Sequence, residues 1–492
     1  MDIMVTMAIA LLIGYLLYVY SKWKSFPPGP WGLPIVGYLP WIDKDKPYIT
    51  LTELARRYGP IYSVSMGSVS TVVVSDAQLI KNALSRDVFS ARANLYLTHG
   101  IMKGYGLIAA EGEKWKEQRR FVSSFLKGLG VVKVGAKRAL MEKKILEGVR
   151  EAVGMLSRLD GKAEDPHNIL LHSIGNVINL VVFGKTWAYD DPQWIWLRRL
   201  LADGIKLIGI VGPVNFLPFL RWWPGYNRLL RYLKDGKSET HKVYKEISDG
   251  SSTDGEHLLA NYKAAMANSQ GRHFEEKQMF HVLADMFGAG TDTTLSTLRW
   301  FLLFMAVNPS IQSRVREELE KALNGRQDPT LEDMENLPYT MACLFETQRI
   351  RVITPLGIPH GTWEETDLGG YRIPRGAMIM VLQWAVHMDP EVWDDPESFR
   401  PERFIDSEGK VIKNHHNFMP FQCGKRICLG EEMAKMMLFL FGAGILCRFV
   451  VRVLEKGDDL QKALEGNMGI TFSPESHHLV FQEKTSVQAD GT

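Results

Sequence analysis

The sequence predicts a mainly α-helical fold with a small β portion, and three observations indicate this class. Helical hydrophobic periodicity covers most of Glu113–Lys321 and returns after Gly430. Segments of β character are confined to Tyr62–Ser75 and Arg351–Met380. The 492 residues are 46% hydrophobic and 23% charged, which is enough apolar content for a large core and excludes a disordered chain.

The charge balance excludes a general nucleic-acid binder. The chain has 58 lysine and arginine residues against 56 aspartate and glutamate residues, so the formal net charge is only +2, whereas binding to nucleic-acid phosphates needs a basic excess. Four cysteines are too few for a disulfide-built scaffold. Two of them, Cys343 and Cys447, stand in apolar helical sequence, and we expect both to be buried free thiols.

Residues 1–24 have the character of a membrane anchor. The run Ile3–Tyr20 carries no charge and is about as long as the ~20 residues that span a bilayer core. A cleaved signal peptide would begin with basic residues and end with small ones, and a mitochondrial transit peptide would be rich in arginine. The sequence has neither pattern, since its first arginine is Arg56. Lys22 and Lys24 follow the run, so we expect the body to face the cytosol from an endoplasmic reticulum membrane.

Residues 25–40 are expected to form a proline-rich hinge, and residues 41–492 to form one domain. Pro27, Pro28 and Pro30 fix the backbone and remove hydrogen-bond donors, so a helical anchor cannot continue through them. Tyr62–Ser75 then alternates apolar and polar residues around Gly67, which predicts a β-hairpin.

The segment Val211–Gly225 is rich in aromatic residues and is broken by proline. One interpretation is the wall of an entrance that dips into a membrane interface. A loop packed inside the fold is the alternative. In the first case, an apolar entrance beside a bilayer would suit a lipophilic substrate.

The segment Phe421–Gly430 carries the most chemical information in the chain. Cys428 stands just before a helical pattern, where the helix dipole and free backbone N–H groups favour a thiolate. Gly424 permits a tight turn, and Arg426 adds a nearby positive charge. A zinc site through Cys423 and Cys428 is one alternative, but the C-x4-C spacing lacks a second matched pair. A buried core cysteine is the other. A lone thiolate in such a loop suits an iron macrocycle better than zinc.

The same ten residues resemble the haem-binding signature F-x-x-G-x-R-x-C-x-G of the cytochrome P-450 monooxygenases, here of their microsomal, membrane-anchored type. The resemblance implies the cytochrome P-450 fold, a haem cofactor and Cys428 as the ligand of its iron. It also implies that Phe421 and Gly430 border the haem. An anionic thiolate pushes electron density onto iron and favours cleavage of the O–O bond. The resemblance therefore implies a haem-thiolate monooxygenase that uses O2 and a reduced flavoprotein.

The run Ala289–Thr294 resembles the family's A-G-x-D-T-T segment in its central helix. Gly290 beside three threonines is poor helix sequence, which would fit a groove opened for a ligand. The resemblance implies that Asp292 and Thr293 help to bind dioxygen and deliver protons to it. A slightly frayed buried helix is the alternative. The pair disfavours a haem-binding sensor or carrier, because ligand storage needs no proton relay.

Glu346 and Arg349 stand three residues apart in a helical pattern, and Arg403 follows in Pro401–Phe404. Such a pair is usually exposed and of little energetic weight. The resemblance implies instead a buried Glu–Arg–Arg network that holds the haem-binding core. Removal of one partner would then leave an unpaired buried charge.

Four residues match positions that hold the haem propionates in the family. Trp115 and Arg119 form its W-x-x-x-R motif and fall on one helix face. Arg426 lies in the cysteine loop, and His360 matches the residue that microsomal members use for the same purpose. Core packing for Trp115 and a solvated charge for Arg119 are the alternatives.

The chain has no G-x-G-x-x-G after a strand pattern, so its electrons are expected to come from another protein. The resemblance implies an NADPH-dependent flavoprotein reductase, with cytochrome b5 as an optional second donor. Five basic residues could form a docking patch for an acidic flavoprotein, or could be scattered over the surface. They are Lys114, Lys116, Arg120, Lys425 and Lys435.

Within the family, the runs Glu346–Gly361 and Thr293–Trp300 resemble the arthropod ecdysteroid-pathway members, and most of all their side-chain 25-hydroxylase. The resemblance implies insertion of one oxygen atom into a tertiary C–H bond of a steroid side chain in ecdysone biosynthesis. The cysteine loop is equally similar to vertebrate drug-oxidising members, so a broad-specificity xenobiotic-oxidising enzyme or another steroid hydroxylase stays open. The residues implied to line the substrate pocket are Ala289, Thr293, Ile353, Leu356, Gly357, Met468, Gly469, Ile470 and Thr471.

Overall fold

The computed structural model describes residues 6, 7, 10, 13, 14, 26–207, 212–268 and 271–483. Apart from five isolated positions, the predicted anchor at residues 1–24 lies outside the described residues and stays a prediction. Across the described ranges, no helix combines the length and the apolar character needed to cross a bilayer.

Helices make up most of the described chain, as the sequence predicts. In chain order they are α1 (Pro47–Tyr58), α2 (Ala77–Ser85), α3 (Gly112–Gly128), α4 (Arg138–Ser157), α5 (His167–Phe183), α6 (Pro192–Leu207), α7 (Pro224–Asp249), α8 (Leu258–Ala267), α9 (Glu276–Val307), α10 (Pro309–Leu323), α11 (Pro338–Ile350), α12 (Gln383–His387), α13 (Glu431–Arg448) and α14 (Gly457–Glu465). The strands are β1 (Ile61–Met66), β2 (Val69–Val74), β3 (Ala91–Arg92), β4 (His360–Gly361), β5 (Thr366–Leu368), β6 (Tyr371–Ile373), β7 (Met378–Val381), β8 (Phe449–Val453), β9 (Asn467–Met468), β10 (Phe472–Ser473) and β11 (Leu479–Glu483).

One five-stranded sheet, in the order β1-β2-β7-β4-β3, holds the main β portion. β1 and β2 form the predicted hairpin, with Ile61 opposite Val74 and Gly67 at φ +56° in the turn. The region Arg351–Met380 supplies β4 and most of β7, and β7 pairs with β2 in parallel. The sheet therefore joins the two segments in which the sequence shows β character.

Helix α9 lies at the centre of the helical body and packs along α5 and α13. Its second half, Leu295–Ala306, is buried on every face, which is the pattern of a helix enclosed by other helices. The helix predicted after Gly430 is α13, so that prediction is confirmed. Helices α9 and α13 bring the two candidate motifs into one core.

The two cysteines predicted to be buried differ in their surroundings. Cys343 is 0% exposed in α11, as predicted, and burial raises the pKa of its thiol well above the ordinary value. Cys447 is only half-buried, because it stands in the last turn of α13, where solvent reaches the helix end. The prediction of full burial is therefore wrong for Cys447.

The aromatic segment 212–225 is divided between the two interpretations that its sequence left open. Phe216 and Leu217 are buried, and a Cβ on Gly67 in the β1–β2 turn would lie 2.5 Å from the Phe216 carbonyl oxygen. Trp222 and Trp223, by contrast, are 75% and 66% exposed. The first part of the segment is a packed loop, and the second part presents aromatic rings to the outside.

Candidate active site

The cysteine loop is fixed between a short 3-10 turn, Gly424–Arg426, and the first residue of α13. The Cys428 N–H donates to the Phe421 carbonyl at 3.0 Å, which closes the loop on itself. Gly424 has φ +74°, and a Cβ there would lie 2.1 Å from the Leu84 carbonyl oxygen, so only glycine fits. The loop therefore holds Cys428 at the N-terminal end of α13, as predicted.

Cys428 lies in the interior of the fold, but its surface is not fully covered by other protein atoms. It therefore borders an open space inside the fold. Burial raises the pKa of its thiol, the Gly430 N–H lowers it, Glu431 raises it and Arg119 lowers it, with a net shift upward. The Gly430 N–H at the helix end thus favours the thiolate, as expected, while burial acts more strongly in the opposite direction. A coordinated metal ion would remove the thiol proton outright.

The zinc alternative finds no ligand set in the part of the chain that the structure describes. No three His, Cys, Asp or Glu side chains gather there in a way that could hold a metal ion, whereas a structural zinc site uses four protein ligands. Cys423 is a half-buried free thiol whose pKa burial raises. The geometry of the loop thus suits a single sulfur ligand.

Trp115 packs against the cationic side chains of Arg119 and Arg426. The guanidinium carbons of Arg119 and Arg426 lie 5.9 and 4.3 Å from the centre of the Trp115 ring. Arg119 donates to the Ile427 carbonyl at 2.6 Å, which brings the W-x-x-x-R motif to the cysteine loop. Arg426 is buried, and two of its N–H groups donate to backbone carbonyls at 2.7 and 2.6 Å. The structure therefore gathers three of the four residues predicted to hold haem propionates.

Arg92 joins this cluster, although no sequence pattern pointed to it. It is 9% exposed and donates to the Ile108 and Ile358 carbonyls, both at 2.9 Å. Burial lowers the pKa of Arg92 to about 10, and burial together with the charge of Arg92 lowers the pKa of Arg426 to about 8. Arg92 lies in a two-residue strand without a surrounding motif, so only the folded chain reveals it.

The arginine cluster carries more positive than negative charge. Glu111 contacts it, and although burial raises the pKa of Glu111, hydrogen bonds and the Arg426 charge bring it below the ordinary value. Asp285 also interacts with Arg92, and burial raises its pKa to about 6. Even with both acids ionised, the three guanidinium groups of Arg92, Arg119 and Arg426 leave a positive excess. Buried charges need partners, so an anionic ligand such as the carboxylates of a haem fits the space beside Cys428.

His360 lies in β4 with protein partners at both ring nitrogens. Its Nδ1 donates to the Phe89 carbonyl at 2.9 Å, and its Nε2 lies 3.5 Å from the Gln422 side-chain amide. Burial, followed by the charge of Arg92, lowers its pKa to about 3, so the ring is neutral. Both ring nitrogens thus have protein partners, and the contact of His360 with a haem propionate stays a prediction.

Ala289 and Thr293 mark the face of α9 that borders open space. Ala289 is exposed, whereas Phe287 and Thr291 on either side of it are buried. Thr293 is half-buried, and its Oγ1 donates to the Ala289 carbonyl at 2.7 Å, a local bond that takes up the hydroxyl inside the helix. Two predicted pocket residues therefore lie one turn apart on an accessible face in the middle of a buried helix.

Gly290 does not open the groove that its sequence suggested. α9 is continuous from Glu276 to Val307, and a Cβ on Gly290 would lie 3.0 Å from the Ile178 Cδ1 atom. The missing side chain therefore allows α9 to approach α5 closely. The predicted groove at Gly290 is wrong, because the glycine is used for helix packing, and the alternative of a frayed helix is wrong as well, because α9 has no break.

Asp292 is fixed by Thr471, a residue predicted to line the substrate pocket. The Thr471 hydroxyl donates to the Asp292 Oδ2 atom at 2.6 Å, and Thr471 is only 4% exposed. Burial raises the pKa of Asp292 to about 6, while the Thr471 hydrogen bond and the Arg299 charge oppose that rise. Trp300 binds the same segment through the Phe472 carbonyl at 3.1 Å. Thr471 thus positions the acid, a role that its sequence did not indicate.

Replacing Thr471 with valine is expected to shift the pH dependence of coupling, the ratio of product formed to NADPH consumed. Valine keeps the volume but removes the donor that stabilises the ionised carboxylate, so the pKa of Asp292 rises above about 6. The inflection in the coupling ratio then moves to higher pH. Thr471→Ser keeps the donor and should retain the wild-type profile. An unchanged profile in the valine variant would show that this contact does not tune the acid.

The other predicted pocket residues divide into two groups. The Ile353 carbonyl accepts from the Phe472 N–H at 2.8 Å, so Ile353 lies beside the β9–β10 turn. Met468 and Ile470 in that turn are partly exposed, whereas Gly469 is buried. Thr471 ties this segment to α9 through Asp292, and the role of Ile353, Met468, Gly469 and Ile470 in lining the substrate pocket stays a prediction.

Leu356 and Gly357 do not border open space, contrary to the prediction. Leu356 is 0% exposed within the hydrophobic core. Gly357 is buried, and a Cβ there would lie 2.2 Å from the side-chain nitrogen of Gln422. Both residues belong to the 351–360 loop. Gly357 faces Gln422 of the cysteine loop, and protein atoms already fill the volume around both residues.

The predicted Glu–Arg–Arg network is present and buried. Arg349 donates to both carboxylate oxygens of Glu346 at 2.7 and 2.8 Å, and both side chains are 0% exposed. Arg403 donates to Glu346 at 3.3 Å, and the Arg400 backbone N–H donates to the same oxygen at 3.0 Å. A bidentate buried pair is far stronger than an exposed one, so the exposed-pair alternative is wrong.

A continuous path of hydrogen bonds joins this network to the cysteine loop. Arg349 donates to the His387 carbonyl at 2.8 Å, and the His387 Nε2 atom accepts from the Met419 N–H at 2.9 Å. The Gln422 N–H then donates to the Met419 carbonyl at 3.0 Å. The network therefore supports the loop that carries Cys428.

The five basic residues predicted to dock a reductase are mostly paired. Lys116 contacts Glu113 at 3.1 Å, Lys425 contacts Asp87 at 3.4 Å, and Lys435 contacts Glu431 at 2.6 Å. Lys114 lies over an aromatic ring, and Arg120 is exposed. Pairing lowers the net charge of this surface, and the docking patch stays a prediction.

A family comparison accounts for this arrangement. The family model of cytochrome P450 matches residues 27–481. The chain belongs to the cytochrome P450 family. It is 41% identical to Cytochrome P450 306a1 of Drosophila melanogaster, over 94% of this chain and 90% of the relative. It is 33% identical to Cytochrome P450 18a1 of Drosophila melanogaster, over 97% and 90%, and 32% identical to human Cytochrome P450 2U1, over 96% and 92%.

Membership of the cytochrome P450 family establishes the fold, the cofactor and the reaction class. The mainly helical structure with small sheets is the P450 fold, as the sequence resemblance implied. The chain is a haem-dependent monooxygenase, an oxidoreductase that takes electrons from redox partners that include a reductase and acts on a lipophilic substrate with O2. A P450 holds its haem iron through a cysteine thiolate, and the residues predicted for haem binding, Cys428, Arg119 and Arg426, lie close enough to fit such a group.

Proposed function

We propose that this P450 hydroxylates a steroid of the ecdysteroid class at C25 of its side chain. The observation that supports the lipophilic part is the accessible face of α9, where Ala289 is exposed one turn before Thr293 while Phe287 and Thr291 are buried. The resemblance of Glu346–Gly361 to arthropod ecdysteroid-pathway members supports the steroid class. The similarity to two fruit-fly P450s agrees with an arthropod-type enzyme.

The residues assigned to haem binding divide into a ligand and a set of cations. We assign Cys428 as the iron ligand, with Phe421 and Gly430 bordering the haem at the ends of the loop. Trp115, Arg119 and Arg426 would hold the propionates, and Arg92 adds its charge to this set. A haem held there would supply the activation of dioxygen, one atom of which enters the substrate while the other leaves as water.

Asp292 and Thr293 are the residues of this chain that would handle protons. Asp292 is half-buried, its pKa is raised to about 6, and its carboxyl is held at one oxygen by Thr471. A carboxyl group that titrates near neutral pH is well matched to proton transfer under physiological conditions. Thr293 lies one residue away with its hydroxyl bonded to the Ala289 carbonyl. The pair would therefore pass protons towards the space that Ala289 borders.

An exposed apolar surface near the predicted entrance supports a membrane location. Trp222 and Trp223 are largely exposed beside Phe219, and Ile35 is exposed on the segment that pairs with the β1–β2 turn. That turn packs on the 212–217 loop, so the two segments are neighbours. Exposed tryptophans are typical of membrane interfaces. We propose that this surface rests on the endoplasmic reticulum membrane, to which the predicted anchor at residues 1–24 would attach it.

Incubation with steroid precursors tests the proposed substrate. The purified protein is combined with an NADPH-dependent reductase and NADPH, and is offered ketodiol and ketotriol ecdysteroid precursors beside a panel of drug-like molecules. We expect one 25-hydroxylated steroid product and a substrate-induced change in the haem absorption spectrum. Cytochrome b5 is added in a parallel series to test whether it serves as a second electron donor.

A matched variant separates pocket recognition from loss of the enzyme. Ala289→Phe fills the accessible face of α9 and should remove steroid turnover while the haem spectrum of the folded protein persists. Ready oxidation of several unrelated drugs, without turnover of the steroids, would overturn the proposal in favour of a broad-specificity enzyme. Hydroxylation of the steroid at another carbon would indicate another steroid hydroxylase.

A further inference from the structure

Five lysines surround two histidines where α7, α9 and the loop before α3 meet. In the described part of the chain, no carboxylate lies within ion-pair distance of these lysines. The charges of Lys103, Lys234 and Lys277 act on Lys237, whose ammonium group donates to the Ile101 carbonyl at 2.7 Å. They lie on a surface that solvent can reach. The five are Lys103, Lys114, Lys234, Lys237 and Lys277.

Tyr105 lies at the centre of the cluster. The Lys114 and Lys277 ammonium nitrogens lie 4.3 and 4.5 Å from the centre of its ring. The ring of Tyr105 stacks on His281 at 5.3 Å, and His281 meets His241 edge to face at 4.8 Å. The Tyr105 ring therefore brings Lys114 of α3 and Lys277 of α9 together, although like charges repel one another.

Both histidines present a ring nitrogen without a partner. The Nε2 atoms of His241 and His281 are buried, and neither atom forms a hydrogen bond with any described residue. His281 is only 2% exposed. Burial lowers its pKa to about 3, and neighbouring positive groups act in the same direction. A buried polar atom without a partner is uncommon in folded proteins, and such atoms often mark a place for a ligand.

The acids nearest to the cluster are already engaged. Asp285 stands one turn after His281, where it accepts from the Leu107 and Ile108 N–H groups at 2.6 and 2.9 Å. Burial raises its pKa to about 6. Glu276, next to Lys277 in sequence, contacts Lys245 at 3.1 Å instead. These two acids therefore do not pair with the five lysines, and an anion from outside the chain would offset their charge.

We propose that this cluster binds an oxyanion of the phosphate class, either free or as the headgroup of an anionic lipid. Lysine ammonium groups donate charge-assisted hydrogen bonds to phosphate oxygens, and an imidazole N–H of His281 would add a neutral donor from below. Lys277 precedes Ala289 by twelve residues on α9, or ~18 Å at ~1.5 Å per residue. The site is therefore separate from the space that Ala289 and Cys428 border, and it does not depend on the proposed steroid reaction.

Calorimetric titration of the holoenzyme with inorganic pyrophosphate tests the site. We expect saturable binding to the wild type and at least tenfold weaker binding to the double variant Lys237→Gln/Lys277→Gln. The control Lys456→Gln/Lys462→Gln removes the same charge from exposed lysines beside α14 and should bind like the wild type. Absence of binding to the wild type, or equal weakening in the control, would overturn the proposal.

A second variant and a lipid series complete the test. His281→Phe keeps a ring against Tyr105 but has no nitrogen, and it should weaken pyrophosphate binding while haem content is retained; unchanged affinity would exclude the histidine from the site. Dihexanoyl phosphatidic acid, below its micelle concentration, is compared with dihexanoyl phosphatidylcholine as a competitor. Displacement of pyrophosphate by phosphatidic acid alone assigns the site to a lipid headgroup, and failure of both to compete assigns it to a free phosphate compound.

Discussion

Cys428→His is expected to lose monooxygenation while keeping part of its haem. The loop closes through backbone groups of Phe421 and Cys428, so the substitution leaves its hydrogen bond in place. A neutral imidazole donates less electron density to iron than a thiolate does, and the O–O bond is then cleaved less readily. Product formation should fall below detection, and haem content per protein is measured beside it.

Cys423→Ser provides the matched control for this substitution. Cys423 stands five residues earlier in the same loop as a half-buried free thiol, so its replacement disturbs the loop without touching the proposed ligand. Wild-type turnover is expected. Activity retained in Cys428→His, or lost in Cys423→Ser, would show that Cys428 is not the ligand of the iron.

Glu346→Gln is expected to be among the most destabilising single changes in the chain. The carboxylate is 0% exposed and faces Arg349 and Arg403, so the variant leaves two guanidinium groups without their anion. Breaking a buried ion pair costs ~3–5 kcal/mol of the free energy of unfolding, out of a total that is typically ~5–15 kcal/mol. Haem content should fall as well, because His387 and Met419 connect Arg349 to the cysteine loop.

Lys410→Gln supplies the comparison with an exposed ion pair. Lys410 contacts Glu408 at 2.7 Å, and both side chains are more than two-thirds exposed. Solvent screens such a pair, so no measurable change in unfolding is expected. Urea unfolding followed by circular dichroism, with haem content in parallel, measures both variants. Equal stability of Glu346→Gln and the wild type would mean that the network does not hold the core.

The fold could be predicted from the sequence where the pattern is local. The alternation in Tyr62–Ser75 and the helical periodicity before and after Gly430 each depend on neighbours in the chain, and both predictions are confirmed. The parallel pairing of β2 with β7 joins segments about 300 residues apart, and no local pattern specifies such a partner. The prediction that Cys447 is fully buried was wrong for a similar reason, since the exposure of Cys447 depends on what covers the end of α13.

The candidate site shows the same division. Motif residues such as Arg119 and Glu346 are placed as expected, because motifs record side chains that act together in a family. Arg92 and the contact of Thr471 with Asp292 were not predicted, since each depends on a strand or turn brought from elsewhere in the chain. Gly290 was misjudged because helix propensity describes an isolated helix, whereas here the glycine serves the packing of α9 on α5.

The absorption spectrum of the reduced, carbon-monoxide-bound protein tests the central claim most directly. That claim is that Cys428 binds the haem iron through its sulfur, in the space beside the cluster of Arg92, Arg119 and Arg426. A thiolate ligand shifts the Soret band strongly to the red, so the wild type should show this band and Cys428→His should not. A wild-type Soret band like that of an imidazole-ligated haem, in a protein that retains its haem, would contradict the account.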